Sequence, residues 1–192
     1  RDVADNVAVT TPADFMTTPP LPRVAITEIY ANAFSSMEKW GEYIEIYNFD
    51  VVPWDVTGWQ LDNAGSFQDL PAAVLMPGEV ALLTGTDFHM DLTDVCAPSG
   101  LGTPGACDVD PPPGTPLLMV PSTTLTTSGL SNSGESYRLL DASGVSISTY
   151  FNVVSTSSNE GVSVERIDPT GPDVAANWAR NPDSTSTPGV VP

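Results

Sequence analysis

Few residues in this chain could act on a substrate. His89 is the single histidine, in Thr86-Asp-Phe-His-Met-Asp91. A hydrolase built on it would need a nucleophile and an orienting carboxylate around the imidazole. No Gly-x-Ser-x-Gly elbow is present, and Ser99 beside Gly100 falls in a Pro- and Gly-rich stretch, so His89 reads as a surface residue. Glu28, Glu42 and Glu45 could supply the paired carboxyls of glycoside hydrolysis. They fall in strand-like segments, however, where a structural role explains them better. Phosphate-binding motifs of the Gly-x-x-x-x-Gly-Lys and Gly-x-Gly-x-x-Gly types are absent. No catalytic residue is expected, and the chain is read as a non-enzyme.

Metal chemistry has one candidate location. Asp87, Asp91 and Asp94 lie close together, and Asp108 and Asp110 follow after Cys107. Calcium takes several oxygen ligands from loops of this kind. The spacing fits no EF-hand loop, so a solvated acidic loop is weighed above calcium, and no other cofactor is expected. Cys96 and Cys107 flank Ala-Pro-Ser-Gly-Leu-Gly-Thr-Pro-Gly-Ala. With one histidine in the chain a closed zinc site lacks ligands, and a free buried pair is the other alternative. A disulfide is the favoured expectation. It would stabilise this loop by about 3 kcal/mol through loop-closure entropy and implies an oxidising compartment.

Composition bounds the partners. The 192 residues include 24 acidic and six basic side chains, for a net charge of −18. Charged residues make up only 16%, against about 25% in ordinary soluble proteins, so the imbalance reflects scarce bases and reads as a solvated acidic surface. Arg1, Arg23, Lys39, Arg138, Arg166 and Arg180 are scattered along the chain. Nucleic acid and anionic membranes require clustered bases to neutralise phosphate, so neither is an expected partner. No apolar run reaches the length of a membrane span. The first residues lack a charged stretch followed by an apolar core. The sequence is therefore expected to be cytosolic or the processed form of an exported protein, and the cysteine pair favours an extracellular or cell-surface location.

These residues must be positioned by strands. Glu42 to Asn48 alternates Tyr43, Glu45 and Tyr47 with Ile44, Ile46 and Asn48, the period of a pleated strand. Strands are expected over 24–30, 42–48, 59–63, 80–84, 117–120, 136–140, 145–151 and 162–167. Asp141-Ala-Ser-Gly144 is a tight hairpin with Gly144 at positive φ. The expected core comprises Val24, Ile26, Ile44, Ile46, Trp59, Leu61, Leu82, Leu139, Val145, Ile147, Val162 and Val164, with Trp59 as its central aromatic. By alternation Glu28 shares a face with Val24 and Ile26. Arg166 is expected to pair with Glu28 or Glu45 and so to fix strand register. Ahead of these strands, residues 1–22 form an extended arm rich in Pro and Thr, with Val7, Val9, Phe15 and Met16 as apolar anchors. The arm could add a strand to its own sheet or to a neighbour's edge, and both readings stay open.

The motifs occur in an order that resembles the lamin tail domain. Val24-Ala-Ile-Thr-Glu-Ile-Tyr-Ala-Asn32 is similar to that family's first strand. Gly41 to Asn63 is similar to its next two strands, and Met76-Pro-Gly-Glu-Val-Ala-Leu-Leu83 to its Pro-Gly turn and apolar strand. Leu130-Ser-Asn-Ser-Gly134, Tyr137-Arg-Leu-Leu-Asp-Ala-Ser-Gly144, Val164-Glu-Arg166, Trp178 and Thr187-Pro-Gly189 follow in place. Residues 87–115 form a longer insertion than the family usually carries there. The resemblance implies an all-β, immunoglobulin-like antiparallel β-sandwich over 23–192; the extended arm before it and the disulfide-closed loop insertion are departures from the family pattern. It implies a non-enzymatic structural or interaction module with protein partners. One such partner is a second copy, giving a homo-oligomer or filament linked through the arm. The alternative is an accessory module for carbohydrate or calcium working beside a separate enzyme, with Trp40, Trp54 or Tyr43 stacking on sugar rings.

Overall fold

The computed structural model describes residues 20–33, 38–88, 111–155 and 157–191. Strands are β1 (Val24–Tyr30), β2 (Tyr43–Asn48), β3 (Trp54–Asp55), β4 (Gln60–Asn63), β5 (Ser66–Asp69), β6 (Val74–Leu75), β7 (Val80–Thr84), β8 (Leu117–Met119), β9 (Ser136–Leu140), β10 (Ser146–Phe151), β11 (Val164–Arg166) and β12 (Trp178–Arg180). A single helical turn, Glu38–Gly41, precedes β2, and a 3₁₀ turn, Ala175–Asn177, leads into β12. No helix among the described residues is long and apolar enough to cross a membrane.

One sheet has the order β12-β11-β1-β2-β7-β8, the second β10-β9-β4-β5, and β3 and β6 form a short ribbon. Every pairing is antiparallel except β7 with β8. Between the sheets lies one apolar core containing Ile26, Ile44, Ile46, Trp59, Leu61, Leu83, Leu139, Val164 and Trp178. Tyr137, Tyr150 and Trp178 form an aromatic chain through it, with centroids 6.3 Å and 4.8 Å apart. The inner strands of the larger sheet, β1, β2, β7 and β11, are buried on both faces. Tyr30, Tyr43 and Leu82 form a second, smaller cluster outside the sandwich, joined by Phe88 and Leu117. Leu82 therefore belongs to that cluster and not to the central one.

A β-bulge decides which side chains reach that outer face. The register of β1 against β2 slips between Ile26 and Glu28, an inserted residue that turns the rest of the strand over. Val24 and Ile26 face the core before the slip, and Ile29 and Ala31 face it afterwards. Glu28 thus turns outward with Tyr30, away from the face that simple alternation assigns it. The polar groups of Ile26 at the slip are not lost to burial. Its N–H donates to Ser148 Oγ (3.0 Å), and its carbonyl accepts from Arg166 Nε (2.8 Å).

The expected strands are present, β1, β7 and β9 with the expected bounds and the others within two residues, while β3, β5, β6 and β12 lie outside the expected set. Val145 is a correction: it is 42% exposed, because it sits at the hairpin end ahead of a second register slip between Ser146 and Ser148. The hairpin turns at Gly144 (φ +83°), whose N–H donates to the Asp141 carbonyl. Asp141 Oδ1 accepts from the Ser143 and Val145 amides as well.

Candidate functional site

On the outer face of the large sheet three glutamates stand side by side. Register places Glu165 of β11 opposite Glu28 of β1, and Glu28 opposite Glu45 of β2. All three are buried. Like charges directly opposite one another on a sheet repel, so the row needs another source of stability. Residues 181–191 supply part of it, crossing this face as a strap after β12. Thr187 donates its N–H to Glu28 Oε1 (2.9 Å) and its Oγ1–H to Glu165 Oε1 (2.8 Å). Gly189 donates its N–H to Glu45 Oε2 (2.8 Å). Ser163 Oγ and Asn181 Nδ2 also donate to Glu165 Oε1, and Thr27 Oγ1 to Glu45 Oε1. Gly189 has φ +75°, and a Cβ there would lie 2.6 Å from Thr115 Oγ1, so glycine lets the strap lie this close.

These donors do not cancel the cost of burial. Desolvation raises Glu28 to about 7 against the opposing pull of the Thr187 amide, with repulsion from Glu165 adding to the rise. Glu45 is pushed up to about 9, by burial first and by Glu28 second. Burial, then Glu28 and Glu160, raise Tyr30 to about 12. Glu28 Oε2 and the Tyr43 hydroxyl are both buried without a hydrogen-bond partner. Among the described residues no group of three or more His, Cys, Asp or Glu side chains is arranged to hold a metal ion.

Arg166 does not join this row. It alternates to the opposite face of β11, where it forms an ion pair with Asp173 and donates to Ser148 Oγ and the Gly171 carbonyl. Its guanidinium lies 5.2 Å from the Trp178 ring centroid. The expected pairing with Glu28 or Glu45 is therefore replaced by one with Asp173. Asp173 in turn accepts from the Thr149 amide (2.8 Å), so the network ties β11 to β10 in the facing sheet. Burial lowers Arg166 to about 10.

The remaining sequence candidates separate. Trp59 is packed in the core. Asp87 is exposed, with its N–H on the Thr123 carbonyl. His89, Asp91, Asp94, Asp108, Asp110, Cys96, Cys107, Val7, Val9, Phe15 and Met16 lie outside the described residues. Tyr43 is fully buried and cannot stack on a sugar ring. Trp40 is partly exposed, and Trp54 is half-buried with its indole N–H on Asp50. Trp54 borders a groove of about 580 Å³ with Leu21, Pro22, Asp141 and Val145. A second groove of about 400 Å³ lies between β11–β12 and the strap, bordered by Ile167, Arg180, Asp183, Val190 and Val191. The strap's donors to Glu28 and Glu45 carry no local signal as partners, since these pairings join distant segments, and Asp173, seven positions after Arg166, has Asp168 as a nearer acid in sequence.

Two facing sheets closed over a shared aliphatic and aromatic core define an immunoglobulin-like β-sandwich. The lamin tail domain family matches residues 17–153, and the chain belongs to that family. β11, β12 and the strap follow the matched stretch yet complete the larger sheet. No curated protein matches the chain. The family is a non-catalytic, immunoglobulin-like one whose domains mediate protein–protein interaction.

Proposed function

We propose that the chain is a contact module of the cell exterior that binds protein partners and catalyses no reaction. The observation that carries this reading is the edge of the larger sheet at β12, which ends the strand order and is flanked by a groove and by exposed Ile167 and Val190. Asn181 N–H bonds the Ser163 carbonyl and Ile167 N–H bonds the Asn177 carbonyl. By antiparallel alternation the Arg180 N–H therefore points away from β11, toward an added strand. An extended segment could pair there by β-augmentation, with backbone bonds giving affinity and the groove taking alternate side chains. In the sharper form of the proposal the added segment is the 1–22 arm of a second copy, which builds an oligomer or filament at the cell surface. The net charge of −18 keeps copies apart until the arm engages.

Mass in solution tests this. The full chain should show concentration-dependent association, lost when residues 1–22 are removed and weakened at least several-fold by Arg180→Pro, which deletes the outward donor. If full and shortened chains both stay monomeric at high concentration, the arm does not join copies.

A second reading rests on the Trp54 groove, where an aromatic face stands near Asp55 and Asp141. This combination suits a carbohydrate, and the module would then work beside a separate enzyme. Calorimetry against a glycan panel, and against calcium for the acidic insertion, separates the two.

A further inference from the structure

Among the described residues no positively charged side chain pairs with the glutamate row. Glu28 faces Glu165 on β11 and Glu45 and Tyr43 on β2, with Tyr30 further along its own strand. From the strap, Asp183 is the one charged side chain in 181–191, and Glu160 ahead of β11 acts on Tyr30. β7 places Leu82 and, by alternation, Val80 and Thr84 on this face, none of them charged, and Asp87 beside Phe88 is exposed. Arg166 is committed to Asp173 across the sheet and Arg180 to the Ser155 carbonyl. Everything the row receives comes from neutral donors.

Two orphan atoms mark where this falls short. Glu28 Oε2 and the Tyr43 hydroxyl are buried side by side in the same layer without partners. Burial lifts Glu28 by more than the Tyr43 hydroxyl, itself a donor, draws it down. Adjacent dry carboxyls without a cation keep protons for the same electrostatic reason that paired acids do in other buried sites.

We infer that the adjacent Glu28 and Glu45 carboxyls are a proton-held latch, and that the strap over them opens as they give up protons to solvent. Ionisation places adjacent negative charges in a site buried from solvent, and lifting residues 181–191 is the shortest way to hydrate them. The strap's own bonds to Glu28 and Glu45, through the Thr187 and Gly189 amides, are the ones that break. Because Glu28 and Glu45 are raised to about 7 and about 9, opening belongs to neutral and mildly alkaline conditions, and mild acid keeps the strap shut. This inference is independent of any partner.

Amide hydrogen exchange on the full chain tests it, read as protection factors corrected for the intrinsic rate. From about pH 5 to about pH 9.5, protection at Thr187 and Gly189 should fall about tenfold or more, while Ile44 and Leu83 hold within about twofold. Combining Glu28→Gln with Glu45→Gln should flatten the response at Thr187 and Gly189. Constant protection there in the wild type, or an undiminished fall in the double variant, overturns the latch. Should the double variant fail to fold, carboxyl-carbon NMR of the wild type decides. Titration of Glu28 and Glu45 near the ordinary value of 4.5 refutes the inference, and titration of either above about 6.5 upholds it.

Discussion

Thr187 reaches Glu28 across 159 positions of sequence and donates its backbone N–H over 2.9 Å. That one contact joins the first strand of the sandwich to the end of the described chain. The same threonine bonds Glu165 through its hydroxyl, and Gly189, two residues on, bonds Glu45. Four short sequence motifs, each unremarkable alone, thus meet at one layer on the larger sheet.

The strap should be sensitive to its own chemistry. Thr187→Val keeps the backbone donor and removes the hydroxyl, leaving Glu165 with Ser163 and Asn181. It should cost about 1 kcal/mol. Gly189→Ala must place a side chain at positive φ against Thr115 and should cost more, about 1–3 kcal/mol. Urea denaturation of both variants gives the ranking, and a Gly189→Ala protein as stable as wild type would contradict the close approach.

Stability should decline on the alkaline side. In the unfolded chain these carboxyls titrate near 4.5, whereas folding raises Glu28 to about 7 and Glu45 to about 9. Over that interval the folded state binds more protons than the unfolded one. Their contribution is therefore full below about 4.5, falls as pH rises, and is gone above about 9. Asp141 and Asp168 act in the opposite sense. Hydrogen bonds from Ser143 and Thr170, respectively, hold them below 3.8, so what they add is lost as pH falls through that range. The urea midpoint at fixed ionic strength should peak on the mildly acidic side and drop toward pH 9. A midpoint that climbs steadily from pH 5 to pH 9 would be incompatible with the buried row.

Arg166 should tolerate no replacement easily. Arg166→Met would strip partners from the Ile26 carbonyl, Ser148, the Gly171 carbonyl and Asp173 at once. Leaving such groups buried and unpaired costs about 3–5 kcal/mol. Arg166→Lys should recover less than half, because one ammonium cannot span the positions that the planar fork bridges. Thermal melts of the two variants, with Ser148→Ala as a milder control, measure the ordering.

Much of the sandwich can be read from residue pattern, and the exceptions have local causes. β2, β7 and β9 are flanked by turns and apolar enough to declare themselves. β5 and β12 are exposed and short, with no periodicity to distinguish Ser-Phe-Gln-Asp or Trp-Ala-Arg from loop. β1 is legible as a strand, but the orientation of Glu28 is not. Both faces of β1 are covered, so no polar residue records the place where the bulge inverts the alternation. The pairing of Arg166 fails for a related reason. Val-Glu-Arg fixes that residues 165 and 166 point oppositely, yet which face holds the acids depends on that bulge. The Trp59 position is legible because a large aromatic just after a Gly turn has few exposed alternatives in a sandwich.

The strap also has a temporal meaning. A polypeptide leaves the ribosome from its amino end and its early portions collapse first, so residues 181–191 arrive only after the twelve described strands have been made. Until then the acids on that outer layer stay wet and free to ionise, and the layer cannot dry. Sealing the face thus comes after the described strands are in place, and a molecule cut short before Thr187 would display an anionic, tyrosine-lined surface that the folded strap hides.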